Sequence, residues 1–99
     1  MDDYEKETKL QIDAIPKDLK DRFVPSLKEN FSKISNLMKS IEDGTLSPSD
    51  PNTEHKREKY LKSMEKLSED FVKAGGTDIQ WNILAPAIAN GVYDRIYSP

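Results

Sequence analysis

The chain has 99 residues, the size of one small domain, and 35% of them are hydrophobic. It contains no cysteine, which excludes disulfides, thiolate catalysis and cysteine metal sites. Its formal net charge of −3, from 15 basic and 18 acidic residues, is too close to balance to favour or exclude nucleic acid as a partner.

The N-terminal segment, "MDDYEKETKL", is acidic and polar, and it lacks the basic start and apolar stretch of a secretory signal. Together with the lack of cysteine, this suits a cytoplasmic location. Four residues follow one another at nearly helical spacing: Tyr4, Thr8, Ile12 and Ile15. Because this stripe is thin, residues 1–15 are predicted to form either a frayed helix or a tail of a single domain spanning residues 1–99.

The clearest helix follows in "PKDLKDRFVPSLKENFSKISNLMKSIEDG", where apolar residues recur every three or four positions. Pro16 suits the first helical position, and Gly44 suits the position after the last. Pro25 lies inside the pattern and has no N–H to donate to the preceding turn. We therefore expect a kink or short break near Phe23–Pro25, with both pieces facing the same core.

Residues 44–53, "GTLSPSDPNT", are predicted to form a loop because turn-forming residues dominate them. Asp50 and Pro51 then suit the N-cap and first position of the next helix. That helix runs through "EHKREKYLKSMEKLSEDFVKAGG", and Gly75-Gly76 ends it. One ridge of it is apolar, formed by Tyr60, Met64, Leu67 and Phe71.

The last segment, "IQWNILAPAIANGVY", has no charged residue in a chain that is 33% charged. It is too short and too polar to cross a bilayer comfortably. Thr77 or Asp78 can cap a helix here, and Pro86 predicts a break into one piece of residues 79–84 and a second from residue 85 or 86. A turn at Asn90-Gly91 is the alternative.

These elements predict an all-α fold, a small antiparallel bundle of four to five helices with proline interruptions near Pro25 and Pro86. Alternating strand patterns are absent from the sequence. The expected core comprises Phe23, Leu27, Phe31, Ile34, Met38, Tyr60, Met64, Leu67, Phe71, Leu84, Ile88 and Val92.

Catalytic, cofactor and metal sites are all predicted to be absent. His55 is the only histidine, and the neighbouring Lys56 and Arg57 would repel a cation. No nucleophile elbow, dinucleotide fingerprint or phosphate-binding loop occurs. The sequence therefore favours a protein that is not an enzyme.

The C-terminal aromatic residues are the candidate partner-binding site: Trp81, Tyr93 and Tyr97, with Ile79. Tryptophan and tyrosine are favoured at binding hot spots, although the same segment could simply fill the core. The predicted function is stoichiometric binding of another protein, as an adaptor, inhibitor, antitoxin or immunity factor, and a homodimer is a further option. The alternative is a nucleic-acid-associated regulator that uses the Lys56–Lys66 helix face, which is disfavoured because Glu58 and Glu65 interrupt it.

Small cysteine-free helical bundles of about this length include the bacteriocin immunity proteins. The chain is similar to them in size and expected helix count, and in "NGVY" near its end. None of these features is a motif that carries a residue role over.

Overall fold

The computed structural model describes residues 2–97, and these form five α-helices with no strand among them. The helices are α1 (Asp3–Asp13), α2 (Lys17–Glu42), α3 (Pro51–Lys73), α4 (Asp78–Ala89) and α5 (Val92–Tyr97). The predicted all-α bundle is thus confirmed. Met1, Ser98 and Pro99 of the predicted domain lie outside the described residues, and the extent of a single domain stays a prediction.

Local side-chain caps fix where three of the helices begin. The Asp2 carboxylate accepts a hydrogen bond from the Glu5 N–H at 2.8 Å, and the Asp50 carboxylate accepts one from the Asn52 N–H at 2.8 Å. At α4, Thr77 and Gln80 form a reciprocal capping box with both bonds at 3.1 Å. Thr77, rather than Asp78, is therefore the N-cap, and residues 3–13 form a capped helix rather than a tail.

Both internal prolines lie within continuous helices. The break predicted at Pro86 is therefore wrong, and at Pro25 the short break is wrong while the kink stays a prediction. α2 runs through Pro25 and α4 runs through Pro86. A proline leaves the carbonyl four residues earlier without its helical partner. Those residues are Asp21 and Asn82, and both are exposed, as are the two prolines. Water can therefore solvate the released carbonyls, and the helices need not end there.

The C-terminal helices separate at Asn90-Gly91 instead, which was the alternative. Gly91 has φ +76°, a left-handed conformation that glycine adopts without steric cost. α4 therefore ends at Ala89, and α5 begins at Val92.

α4 is the central helix of the fold, because it packs against each of the other four helices. Its apolar composition suits this position, although Ile79, Asn82, Pro86 and Ala89 form one exposed face of it. The uncharged segment contributes five residues to the core: Trp81, Leu84, Ala85, Ala87 and Val92. Trp81 lies between two phenylalanine rings, with its centroid 5.3 Å from that of Phe71 and 6.4 Å from that of Phe23.

One buried cluster draws on all five helices and only partly matches the predicted core. Five predicted residues are buried: Phe23, Leu27, Phe71, Leu84 and Val92. Six others are only partly buried: Phe31, Ile34, Tyr60, Met64, Leu67 and Ile88. The prediction was wrong for Met38, which is exposed, and it omitted Ile12, Ile15, Leu19, Val24, Leu37, Trp81, Ala85, Ala87 and Ile96.

α2 and α3 form a hairpin that is longer than the helices that cover it. At about 1.5 Å per residue, the 26 residues of α2 span roughly 39 Å, whereas the 12 residues of α4 span roughly 18 Å. Within the hairpin the Asn30 side-chain amide donates to the Tyr60 carbonyl at 3.3 Å, which helps to set the register of the two helices. The buried cluster takes Leu19, Phe23, Val24 and Leu27 from α2, and Phe71 from α3. The end of the hairpin nearest the loop of residues 43–50 therefore extends beyond the core.

None of the five helices in residues 2–97 has the length and hydropathy required to cross a membrane.

Candidate functional site

The part of the hairpin beyond the core, residues 34–61, carries a groove between α2 and α3, which we call the hairpin groove. Its volume is about 520 Å³. Six large apolar or aromatic side chains line it: Ile34, Leu37, Met38 and Ile41 from α2, with Tyr60 and Leu61 from α3. Pro48 from the connecting loop lies at its end. The groove exists because α2 keeps its apolar stripe and α3 adds Tyr60 and Leu61 beyond the part of the hairpin that α4 covers.

Two of the lining side chains are unusually exposed for their type. Met38 is 56% exposed and Leu61 is 49% exposed, and both line the same groove. Single exposed hydrophobic residues are common on protein surfaces, but a concave apolar patch typically marks an interaction surface. The hairpin groove is therefore the strongest candidate binding site in residues 2–97.

The charged residues that line the groove have opposite signs. Glu54 and Arg57 lie three residues apart on α3, and neither forms an ion pair within residues 2–97. Residues three apart in a helix share one face. The groove thus combines an apolar surface with one acidic and one basic group whose charges remain available to a partner.

Thr53 also lines the groove and carries an unusual buried hydroxyl. The residue is 3% exposed, and its Oγ1 has no hydrogen-bond partner within the described part of the chain. An unpaired buried hydroxyl is destabilising, so its presence beside the groove is a local weakness in the packing.

The four predicted site residues differ in exposure, and two of them, Tyr93 and Tyr97, pack against each other. Trp81 is only 8% exposed and packs beside the rings of Phe23 and Phe71, so little of its surface is open to solvent. Its role as a partner contact stays a prediction. Ile79 lies two residues earlier and is 74% exposed.

Tyr93 and Tyr97 pack against each other with ring centroids 4.8 Å apart, and both are half-buried. The Tyr97 hydroxyl donates to the Asp13 carboxylate at 2.6 Å. Lys28 Nζ lies 5.4 Å from the centroid of the Tyr93 ring. These tyrosines therefore already have partners within the fold, on α1 and α2.

The Lys56–Lys66 face is basic and open to solvent. His55, Lys59, Lys62 and Lys66 lie at helical spacing along α3 and border a shallow depression with Glu58. None of the three lysines has a carboxylate oxygen within 4 Å in the described residues. The stripe is therefore available to an anion, although Glu58 lies within it.

Sequence reasoning missed the groove because it assigned the whole apolar stripe of α2 to one core. The signal was present in the helix lengths, since the two long amphipathic helices could not both be covered by the shorter C-terminal ones. No metal-binding group of three or more His, Asp or Glu side chains occurs among residues 2–97. Comparisons with protein-family models, with curated proteins and with solved structures found no significant match to this chain.

Proposed function

We propose that this protein acts by stoichiometric binding of another protein, and that the hairpin groove is its binding surface. One observation carries the proposal: an ordered arm of two helices presents an uncovered apolar concavity that includes Met38 and Leu61. Burying such side chains against a partner contributes roughly 25 cal/mol per Å² of apolar surface. The proposed role needs no catalytic group or cofactor, and a cytoplasmic location stays a prediction.

The shape and charge of the groove favour a particular kind of partner. A groove between two helices suits an amphipathic helix, which presents apolar residues at positions i, i+3 or i+4, and i+7. Because Glu54 and Arg57 balance each other, the matching surface should carry little net charge near its centre. The C-terminal aromatic surface is the weaker choice, since Trp81 is enclosed and Tyr97 is bonded to Asp13.

Site-specific photo-crosslinking in the native host tests the proposal. A photo-reactive amino acid replaces either Met38, in the groove, or Leu10, which is exposed on α1 and does not line the groove. We expect position 38 to capture a discrete partner and position 10 to capture none. Adding Leu61→Glu to the position-38 protein should abolish capture, because a charge would then be buried in the contact, whereas adding Leu10→Glu should not.

A discrete product from position 79 or 93, with none from position 38, would contradict the groove and favour the C-terminal surface. Circular dichroism of each variant guards against unfolding as the cause of a lost product.

Nucleic-acid binding is the second candidate, and one observation favours it: three lysines along α3, Lys59, Lys62 and Lys66, have no ion-pair partner within residues 2–97. Titration of labelled DNA and RNA at several salt concentrations separates the two functions. Phosphate contacts would give an affinity that falls steeply with salt, and Lys62→Glu would weaken it. On the protein-binding proposal, no measurable affinity is expected, and Lys62→Glu leaves crosslinking at position 38 intact.

A further inference from the structure

We propose that, when no partner is bound, a second copy of this chain closes the hairpin groove, with the two hairpins packed about a twofold axis. The inference rests on the proposed function in so far as both use the same groove. It adds a form of regulation, because self-association would conceal the surface that the partner needs.

The first argument comes from the charges beside the groove. In a twofold interface, if residue i of one copy contacts residue j of the other, then j of the first contacts i of the second. Glu54 and Arg57 are opposite in sign, lie three residues apart on α3, and have no ion-pair partner in residues 2–97. If two α3 helices cross antiparallel, Glu54 of each copy faces Arg57 of the other. The groove thus complements itself in charge.

The second argument comes from the apolar surface. Residues 34–61 of the hairpin have an apolar groove that no other helix of residues 2–97 lines, whereas two hairpins facing each other make a four-helix bundle with a shared core. Met38 and Leu61, which are exposed in one copy, would be buried in that core. On an antiparallel α3 pair centred between Glu54 and Arg57, Leu61 would approach the start of α3 in the second copy, next to Pro48.

This arrangement has a consequence for the proposed partner. A partner that enters the groove must first displace the second copy, so its apparent affinity falls as the concentration of this protein rises. The protein would therefore be a stored, self-covered dimer at high concentration and an active binder when dilute.

Analytical ultracentrifugation of the purified full chain, from low micromolar to millimolar concentration, tests the proposal. We expect the wild type to show a reversible monomer–dimer equilibrium. Glu54→Arg or Arg57→Glu alone places like charges opposite each other at both symmetric pairs. Because each exposed pair contributes roughly two- to fivefold to the equilibrium, either substitution should weaken dimerisation on the order of tenfold at low salt.

Charge reversal provides the decisive control. The double variant E54R/R57E restores opposite charges and should dimerise like the wild type. A mixture of the two single variants should form heterodimers in preference to either homodimer. Leu61→Glu should abolish dimerisation, and the matched Leu10→Glu should leave it unchanged. All four positions are exposed, so circular dichroism should show the same helix content throughout.

Failure of this inference can be told apart from failure of the proposed function. A wild type that stays monomeric at every concentration, or a double variant that fails to recover, overturns the dimer, while partner capture at position 38 would still stand. Dimerisation that changes with the charge substitutions as expected supports the dimer. If Leu61→Glu leaves partner capture unaffected in that case, the groove is not the partner site.

Discussion

Trp81 shows how one residue can leave two interpretations of a sequence open. It is the single tryptophan and lies in an uncharged segment, so the sequence is equally consistent with a binding hot spot and with a large buried core residue. Which of these it becomes depends on Phe23 and Phe71, which lie on other helices and approach it only in the folded chain. Helical spacing along α4 cannot supply that information, because the helix is apolar on every side.

The enclosure of Trp81 leads to a spectroscopic prediction. Its fluorescence in the native protein should be blue-shifted and resistant to acrylamide quenching, because the indole is shielded from water. Trp81→Ala should lower the free energy of unfolding by about 3–5 kcal/mol, as expected for loss of a large buried aromatic ring. Urea unfolding followed by circular dichroism measures that loss. A red-shifted emission from the native wild type would contradict the enclosure.

Thr53 allows a second test at the residue scale. Its hydroxyl is buried without a hydrogen-bond partner in the described residues, which costs about 1–3 kcal/mol relative to a satisfied or absent hydroxyl. Thr53→Val keeps the shape and removes the hydroxyl, so we expect a gain in thermal stability. Thr53→Ser, which keeps the hydroxyl and removes the methyl group, serves as the control and should be destabilised. A Val variant less stable than the wild type would show that the hydroxyl is bonded in solution.

At the scale of the helices, the sequence was reliable for chemistry that acts within a few residues. Asp50 with Pro51 at the start of α3, and Gly44 after the end of α2, were predicted and observed. These signals succeed because a cap bonds to backbone only two or three residues away. The two internal prolines did not mark helix breaks, because the effect of a proline depends on which side of the helix faces water. Tertiary packing decides which side that is.

The exposed prolines give a prediction about helix stability. Pro86→Ala restores one N–H to α4 and should raise the free energy of unfolding by up to about 2 kcal/mol, after allowing for the greater freedom of the unfolded chain. Pro25→Ala should act in the same direction on α2. Pro51→Ala is the matched control, because proline at the first helical position is favourable and its removal should bring no gain. Urea midpoints that fall for Pro86→Ala would contradict this reading.

α5 is too short to be stable alone, so contacts with α4, α1 and α2 must hold it. Tyr97 donates to Asp13, the Arg95 Nε lies 3.4 Å from Glu5 Oε1, and the Lys28 Nζ lies 2.9 Å from Asp94 Oδ1. The Tyr97 bond is the shortest of these and joins two titratable groups. Its strength should therefore depend on pH.

The direction of that dependence follows from the two pKa values. The Tyr97 hydroxyl and then Lys9 hold the pKa of the Asp13 carboxyl below its usual 3.8, with a smaller effect from Lys20. Burial, followed by the bond to Asp13, raises the pKa of Tyr97 above its usual 10.0. The stabilising bond is therefore present between about pH 4 and 10. It is lost as pH falls through the lowered Asp13 pKa, or as pH rises towards the raised Tyr97 pKa.

A mutant comparison across pH tests this directly. Tyr97→Phe and Asp13→Asn should each lower the melting temperature at pH 7, and the double variant should lose less than the sum of the two. As pH falls through the lowered Asp13 pKa, the difference between wild type and Tyr97→Phe should shrink because Asp13 becomes protonated. A difference that stays constant from pH 7 to pH 2 would show that the bond does not hold α5 in place.

For the whole molecule, fold class was predictable and the binding surface was not. The 3.6-residue periodicity of α2 and α3 and the lack of strand patterns were enough for an all-α bundle. The hairpin groove lies beyond the part of α2 and α3 that α4 covers, which is a property of the assembled structure. Met38 shows the difference, because its position in the stripe predicted burial and its position along the hairpin makes it exposed.

Because α4 covers only one end of the hairpin, we expect stability to be uneven along α2 and α3. Leu84 is fully buried in the central helix, so Leu84→Ala should cost about 2–5 kcal/mol, whereas Ile34→Ala, at a half-buried position on the arm, should cost roughly half as much or less. Hydrogen exchange should show amides of residues 34–61 opening at lower free energy than those of α4, because fewer buried contacts hold them.

Repeating the hydrogen-exchange measurement at high protein concentration, or with a partner present, tests whether the hairpin groove becomes covered. If a second copy or a partner covers the groove, protection should rise in residues 34–61 and stay unchanged in α4. Uniform protection along α2 and α3 in the dilute protein would mean that the arm is as stable as the core, and the groove would then lose its distinction as the uncovered part of the fold.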